Sequence, residues 1–185
     1  MGGRPQRRYI GKEESAFPTC SNDALMIMLI QAVHEGKKIH TADVRGAYLH
    51  AEMDDFVVIT LQGQIVDILC ELKPEYKKFV VYENGKVTLY TQLMKALYGC
   101  IKSALLWYEL FTGELRDMGF KLDPYDKCVA NKMIDGKQCM IAWWVDDNCL
   151  THLSAKVSKE LQYTCCALTL HRVALLGDSR RLQRR

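Results

Sequence analysis

The apolar run QCMIAWWV, Gln138 to Val145, stops on two adjacent carboxylates, Asp146 and Asp147, and a third short β-rich run, CLTHL, follows almost at once. Upstream, CVANKM is joined to the same run by Asp135-Gly136, a dipeptide that closes tight hairpins. Residues 128–153 therefore read as an antiparallel meander with a carboxylate pair at the tip of its second connection. Asp and Asn are common turn residues, so Asp146-Asp147-Asn148 has a bland reading as a polar turn. Against it stands the buried character of Trp143, Trp144 and Val145, because adjacent carboxylates repel and resist burial unless a cation compensates them.

The rest of the chain supplies further elements. Ser21 or Asn22 is placed to cap a largely buried helix from Asp23 to about Glu35, with Gly36 as its stop. Lys38 to Val44 reads as a strand, Arg45 to Glu52 as helical, and Phe56 to Leu61 as another strand. FVVYENGKVTLY, residues 79–90, places Asn84-Gly85 between two β-rich runs and predicts a hairpin. Apolar residues at helical spacing from Lys102 to Met118, among them Trp107, Phe111 and Leu115, predict a core-facing helix ended by Gly119. A last helix is expected from Ser154 to about Cys166.

With 49% hydrophobic and 25% charged residues in 185, the chain suits one globular domain, which at this length buries roughly 70% of the surface exposed by the unfolded chain. The net charge of +3 hides an uneven distribution. The first twelve residues and the last fifteen each carry +4, and residues 13–170 hold 16 basic against 21 acidic side chains. A basic end favours polyanions or is simply a solvated tail. The eight cysteines form no C-x-x-C and follow no apolar leader, so they read as reduced and mostly buried thiols. No apolar stretch approaches the roughly 18 residues of a membrane span.

Asp43 also ends a strand, and is followed by Gly46, Ala47 and Tyr48, small residues and an aromatic suited to line a pocket. If its strand neighbours the meander, Asp43, Asp146 and Asp147 converge, and hard oxygen donors of this kind suit Mg²⁺. Alternatively, Asp43 caps the helical stretch that follows it.

TADVRGAYLHAEM (Thr41 to Met53), LMKALYGCIKSALLWYELF (Leu93 to Phe111) and WWVDDN (Trp143 to Asn148), linked by GFKLDPYDKC, occur in the order and spacing of a copia-type retrotransposon reverse transcriptase. The resemblance covers roughly residues 9 to 162. It implies an α+β fold, a palm of antiparallel sheet packed on helices with partial fingers and no thumb. Residues 1–12 would then be a basic remnant of the fingers, 13–162 the fingers and palm, and 163–185 an atypical basic tail. The implied activity is RNA-directed DNA synthesis, in which a primer 3′-hydroxyl attacks the α-phosphate of a deoxynucleoside triphosphate and expels pyrophosphate.

Position by position, the resemblance makes Asp43, Asp146 and Asp147 the palm carboxylates. Two Mg²⁺ ions are implied, with Mn²⁺ as a substitute; Asp43 and Asp146 are foremost among the ligands, and Val44 offers its backbone carbonyl. Tyr48, beside Ala47, matches the aromatic that lies beneath the incoming deoxyribose and excludes a 2′-hydroxyl; core packing is its bland reading. Tyr98 and Gly99 match a close approach of backbone to nucleotide, with Lys102 nearby. Implied partners are a primed RNA or DNA template and deoxynucleoside triphosphates, with no membrane. RNase H and integrase regions are expected of a longer polyprotein and do not fit here. The implied location is intracellular, in a cytoplasmic particle or the nucleus.

The chain also departs from the family pattern. Lys102 stands where Gln is common, Leu105 where Arg is common, and Trp144 where Tyr usually precedes Val-Asp-Asp. Much of the fingers and the whole thumb are expected to be missing, and the ending ALTLHRVALLGDSRRLQRR resembles read-through in a wrong frame. These departures imply an alternative, an inactive remnant that keeps the palm fold and binds metal or nucleic acid weakly.

Overall fold

In a computed structural model, the structure describes residues 17–176. The expected basic arm, residues 1–12, and the end of the tail lie outside the described residues. Antiparallel sheets and helices make up the fold, arranged around two hydrophobic cores.

Helix α1 (Asn22–His34) begins where Ser21 Oγ accepts the Ala24 N–H. It ends in paired bonds from Gly36 N to Val33 O and from Lys37 N to Ala32 O, with Gly36 at φ +67°. This is the left-handed exit that glycine permits. The expectation of a largely buried helix is corrected: Met28 and Ala32 are buried, but Met26, Ile27, Ile30 and Val33 are between 55% and 74% exposed. Apolar residues encircle this helix, whereas the sheet covers one side only.

Strand β1 (Lys38–Asp43) follows, and the expected helix from Arg45 to Glu52 does not form. Gly46 at φ +65° turns the chain out of helical geometry, leaving a short 3₁₀ turn, Ala47–His50. β2 (Val58–Gln62) starts two residues later than expected. The sequence reading placed no helix after it, yet α2 (Gln64–Leu72) and a 3₁₀ turn, Pro74–Phe79, occur there. The predicted hairpin is present as β3 (Val81–Glu83) and β4 (Lys86–Gln92), with Asn84 and Gly85 both at positive φ as a tight hairpin turn demands. β2, β4 and β3 form a three-stranded antiparallel sheet, on which α2 buries Val66 and Cys70 against Leu89.

Helix α3 (Ser103–Asp117) drives Trp107, Phe111 and Leu115 into the main core. After β5 (Lys121–Leu122), also unanticipated, come the three meander strands: β6 (Val129–Ile134), β7 (Lys137–Trp144) and β8 (Asp147–His152). β1 joins the far side of β8, giving an antiparallel sheet in the order β1-β8-β7-β6-β5. Helix α4 (Ala155–Leu176) runs on well past Cys166 and lies against β1 and β8. No helix among the described residues is long and apolar enough to cross a membrane.

Seven described cysteines are free thiols. Burial, reinforced by the neighbouring Asp126 carboxylate, pushes the Cys20 and Cys128 thiols up to about 12, and burial pushes Cys139 up to about 11.

Candidate active site

Register brings two of the singled-out carboxylates together. In the β1–β8 pair Asp43 stands opposite Asp147 and Ala42 opposite Asn148. In the β7–β8 pair Trp144 stands opposite Asp147, so Val145 and Asp146 are the two residues of the hairpin loop. One step beyond Asp43, the Val44 N–H donates to Asp146 O at 2.9 Å, tying β1 to the loop itself. The same carbonyl accepts Asn148 Nδ2 at 3.0 Å. Asp43 caps no helix, because none begins after it; the following 3₁₀ turn is preceded by Gly46 and has no side-chain cap.

The loop is an unfavourable one for its sequence. Val145 sits at φ +55°, where a β-branched residue is an outlier costing on the order of 1–3 kcal/mol. A two-residue loop that needs positive φ at its first position normally carries glycine there. What opposes relaxation is visible around it. Trp107 Nε1 donates to Val145 O at 2.6 Å, and Trp144 Nε1 donates to Cys20 O at 2.7 Å. The Trp107 ring is 3% exposed and stacks on Phe111 with centroids 5.3 Å apart, and Phe111 meets Trp143 edge-on at 5.4 Å. The larger indole of Trp144 is thus accommodated and anchored, with the β7–β8 register continuous up to Asp147.

Tyr48 and Tyr98 flank the carboxylates. Their ring centroids are 4.4 Å apart and tilted by 38°. Burial raises the Tyr48 phenol, with Tyr98 and Asp146 adding to the effect. Burial likewise raises Tyr98, and both Asp146 and Asp43 add to it, while hydrogen bonds with the Tyr48 and Ala47 backbone pull the other way. Both phenols therefore stay neutral, and both feel the carboxylates. Ala47 is buried beneath them, and Gly99 takes φ +96°, a conformation an L side chain resists.

Lys102 is placed differently from the other candidates. Its ammonium forms ion pairs with Asp54 at 2.9 Å and Asp55 at 3.0 Å, and hydrogen bonds to those carboxylates raise its pKa. The side chain is turned toward that acidic loop. Sequence reasoning missed Asp54 and Asp55 as its partners, and it read Trp107 as core alone. A signal for the latter existed, since a buried indole N–H must find an acceptor.

The side chains gathered here offer only hard oxygen: carboxylates on adjoining strand ends and on the loop that joins β7 to β8. That chemistry suits Mg²⁺ or Mn²⁺. Among the described residues, no three His, Cys, Asp or Glu side chains converge tightly enough to cage an ion. Mg²⁺ commonly takes only one or two protein carboxylates and completes its shell with other oxygens, so a pair of carboxylates on adjoining strand ends fits such an ion.

The model of one protein family, described as reverse transcriptase (RNA-dependent DNA polymerase), matches residues 3–168. No solved structure matches the chain.

Proposed function

The chain belongs to the reverse transcriptase (RNA-dependent DNA polymerase) family, and from that premise we propose that it is the polymerase domain of a copia-type retrotransposon polyprotein. In this reading the β1-β8-β7-β6-β5 sheet with α1, α3 and α4 is the palm. The three-stranded sheet, inserted between Tyr48 and Tyr98, is the part of the fingers that this chain carries. The observation that carries the proposal is the register of Asp43 against Asp147, with Asp146 O tied to Val44.

Asp43, Asp146, Asp147 and the Val44 carbonyl would hold divalent cations, Mg²⁺ or Mn²⁺. Such ions supply Lewis-acid activation of a primer 3′-hydroxyl and charge neutralisation on the departing pyrophosphate. The chain's own residues position the reactants. Tyr48, backed by Tyr98, presents an aromatic floor to the deoxyribose and leaves no room for a 2′-hydroxyl. Gly99, without a Cβ, lets main chain approach the nucleotide closely. The new phosphodiester forms as the α–β phosphoanhydride breaks; the 3′-hydroxyl proton is lost and pyrophosphate leaves, with no covalent enzyme intermediate. A primed RNA or DNA template supplies the sequence information, in a cytoplasmic particle or the nucleus.

Primer extension on poly(rA)·oligo(dT) with Mg²⁺ or Mn²⁺ at low salt tests this. Unmodified chain is expected to extend the primer, and Asp146→Asn to lose at least about a hundredfold in rate, as electrostatic groups at reacting centres typically do. Equal extension by the two would refute the assignment.

A further inference from the structure

We propose that Trp107 is the positioning residue of the carboxylate loop: by holding the Val145 carbonyl, its indole N–H keeps Asp146 where it can reach a divalent cation. The inference rests on the metal reading of the preceding section and goes beyond it, to a residue on a different element that touches neither substrate nor ion.

Three observations carry it. The only indole N–H of α3 spends its single hydrogen bond, at 2.6 Å, on the loop that bears Asp146 rather than on its own helix or the neighbouring strand. That loop holds valine at φ +55°, so its conformation must be imposed from outside. The two carbonyls of the loop are restrained from different directions: Val145 O from α3, and Asp146 O from β1 and Asn148. Without the first restraint, the peptide between Val145 and Asp146 is free to rotate toward an unstrained geometry, and that peptide sets the direction of the Asp146 side chain. The ring itself is fixed by its stack on Phe111, so α3 acts as a rigid support for the loop.

The test uses the full chain, ¹⁵N-labelled, compared with Trp107→Phe, which keeps an aromatic ring and deletes the N–H. Trp144→Phe, which loses an equivalent indole bond to Cys20, serves as control. Should phenylalanine fail to support folding, benzothienylalanine at position 107 replaces N–H by sulfur in the same bicyclic ring and carries the same expectation. Folding is read from the resonances of the distant Asn84-Gly85 turn. In Trp107→Phe, the amides of Asp146 and Asp147 are expected to shift or broaden while the distant turn stays unchanged.

Paramagnetic broadening by Mn²⁺ is then expected at the loop of the unmodified chain. It should need about 10- to 100-fold more Mn²⁺ in Trp107→Phe, the usual cost of losing a group that orients a ligand. Trp144→Phe should behave as the unmodified chain. Unmoved loop amides in a folded Trp107→Phe, equal Mn²⁺ response, or an equal loss in Trp144→Phe would each overturn the inference. No Mn²⁺ broadening in the unmodified chain would instead sink the metal reading, with the loop amides still deciding whether Trp107 holds the loop.

Discussion

At the scale of single residues, the candidate site combines side chains whose types announce their chemistry with others that matter through geometry alone. Tyr48 belongs to the first kind. Its ring packs 4.4 Å from that of Tyr98, and in the proposed reading it acts as a wall beneath the sugar. Tyr48→Val, assayed by steady-state incorporation of paired ribo- and deoxynucleotides, is expected to improve relative use of the ribonucleotide about 10- to 100-fold, the range over which packing alone discriminates. An unchanged ratio would return Tyr48 to the core. Asp146 and Asp147 stood out in the sequence because carboxylates beside buried tryptophans demand an explanation, and Asp43 because it ends a strand; that this strand neighbours the meander is what the β1–β8 register adds. The engagement of Lys102 with Asp54 and Asp55 was not legible, because partners far apart in sequence meet only through tertiary folding. The direction of the Trp107 N–H was hidden for the same reason: periodicity says which face of a helix is buried and nothing about which acceptor lies opposite.

Elements are held to one another by a few hydrogen bonds with identifiable owners, and Asp126 owns several. It accepts the Ser21 N–H at 2.8 Å at the start of α1 and the Cys128 N–H at 2.9 Å just before β6. Burial alone would raise its pKa, but the hydrogen bonds from Ser21 and Cys128 outweigh burial and lower it. A carboxylate with a lowered folded pKa contributes stability that is fully present above its unfolded value, about 4, and is lost as pH falls through the folded value. Asp126→Ala is therefore expected to cost about 1–3 kcal/mol at neutral pH. Thermal unfolding followed as a function of pH should show that gap narrowing only below about pH 4; a gap independent of pH would contradict the account. Sequence punctuation located the two hairpins because Asn-Gly and Asp-Gly fix their own turns. It failed for Arg45 to Glu52, where Gly46 at positive φ overrides helical spacing, and for α2, whose apolar face is defined only by the sheet it covers. Composition also misjudged α1, where more apolar residues are present than the sheet can cover.

The whole molecule is electrostatically divided, with a mildly acidic body between two basic ends. A protein gripping a primer–template releases counterions in proportion to the phosphates it neutralises. With 16 basic against 21 acidic side chains in residues 13–170, few such contacts are on offer from the body. Titration of a labelled primer–template at several salt concentrations is expected to give a log–log slope no steeper than about −4, and replacing Arg180, Arg181, Arg184 and Arg185 by Gln to flatten it. A slope untouched by those replacements would place the phosphate contacts elsewhere.

The pairing of β1 with β8 has one more consequence, for the time course of folding. Between Asp43 and Asp147 the chain makes the whole three-stranded sheet, helix α3 and the first two strands of the meander. Hairpins and helices close short loops and form early, whereas joining these two strands closes a very long loop, whose entropy must be met before its contacts reward it. A half-folded chain with every local element in place has Asp43 on one piece and Asp146 and Asp147 on another, so the candidate site is assembled last and all at once.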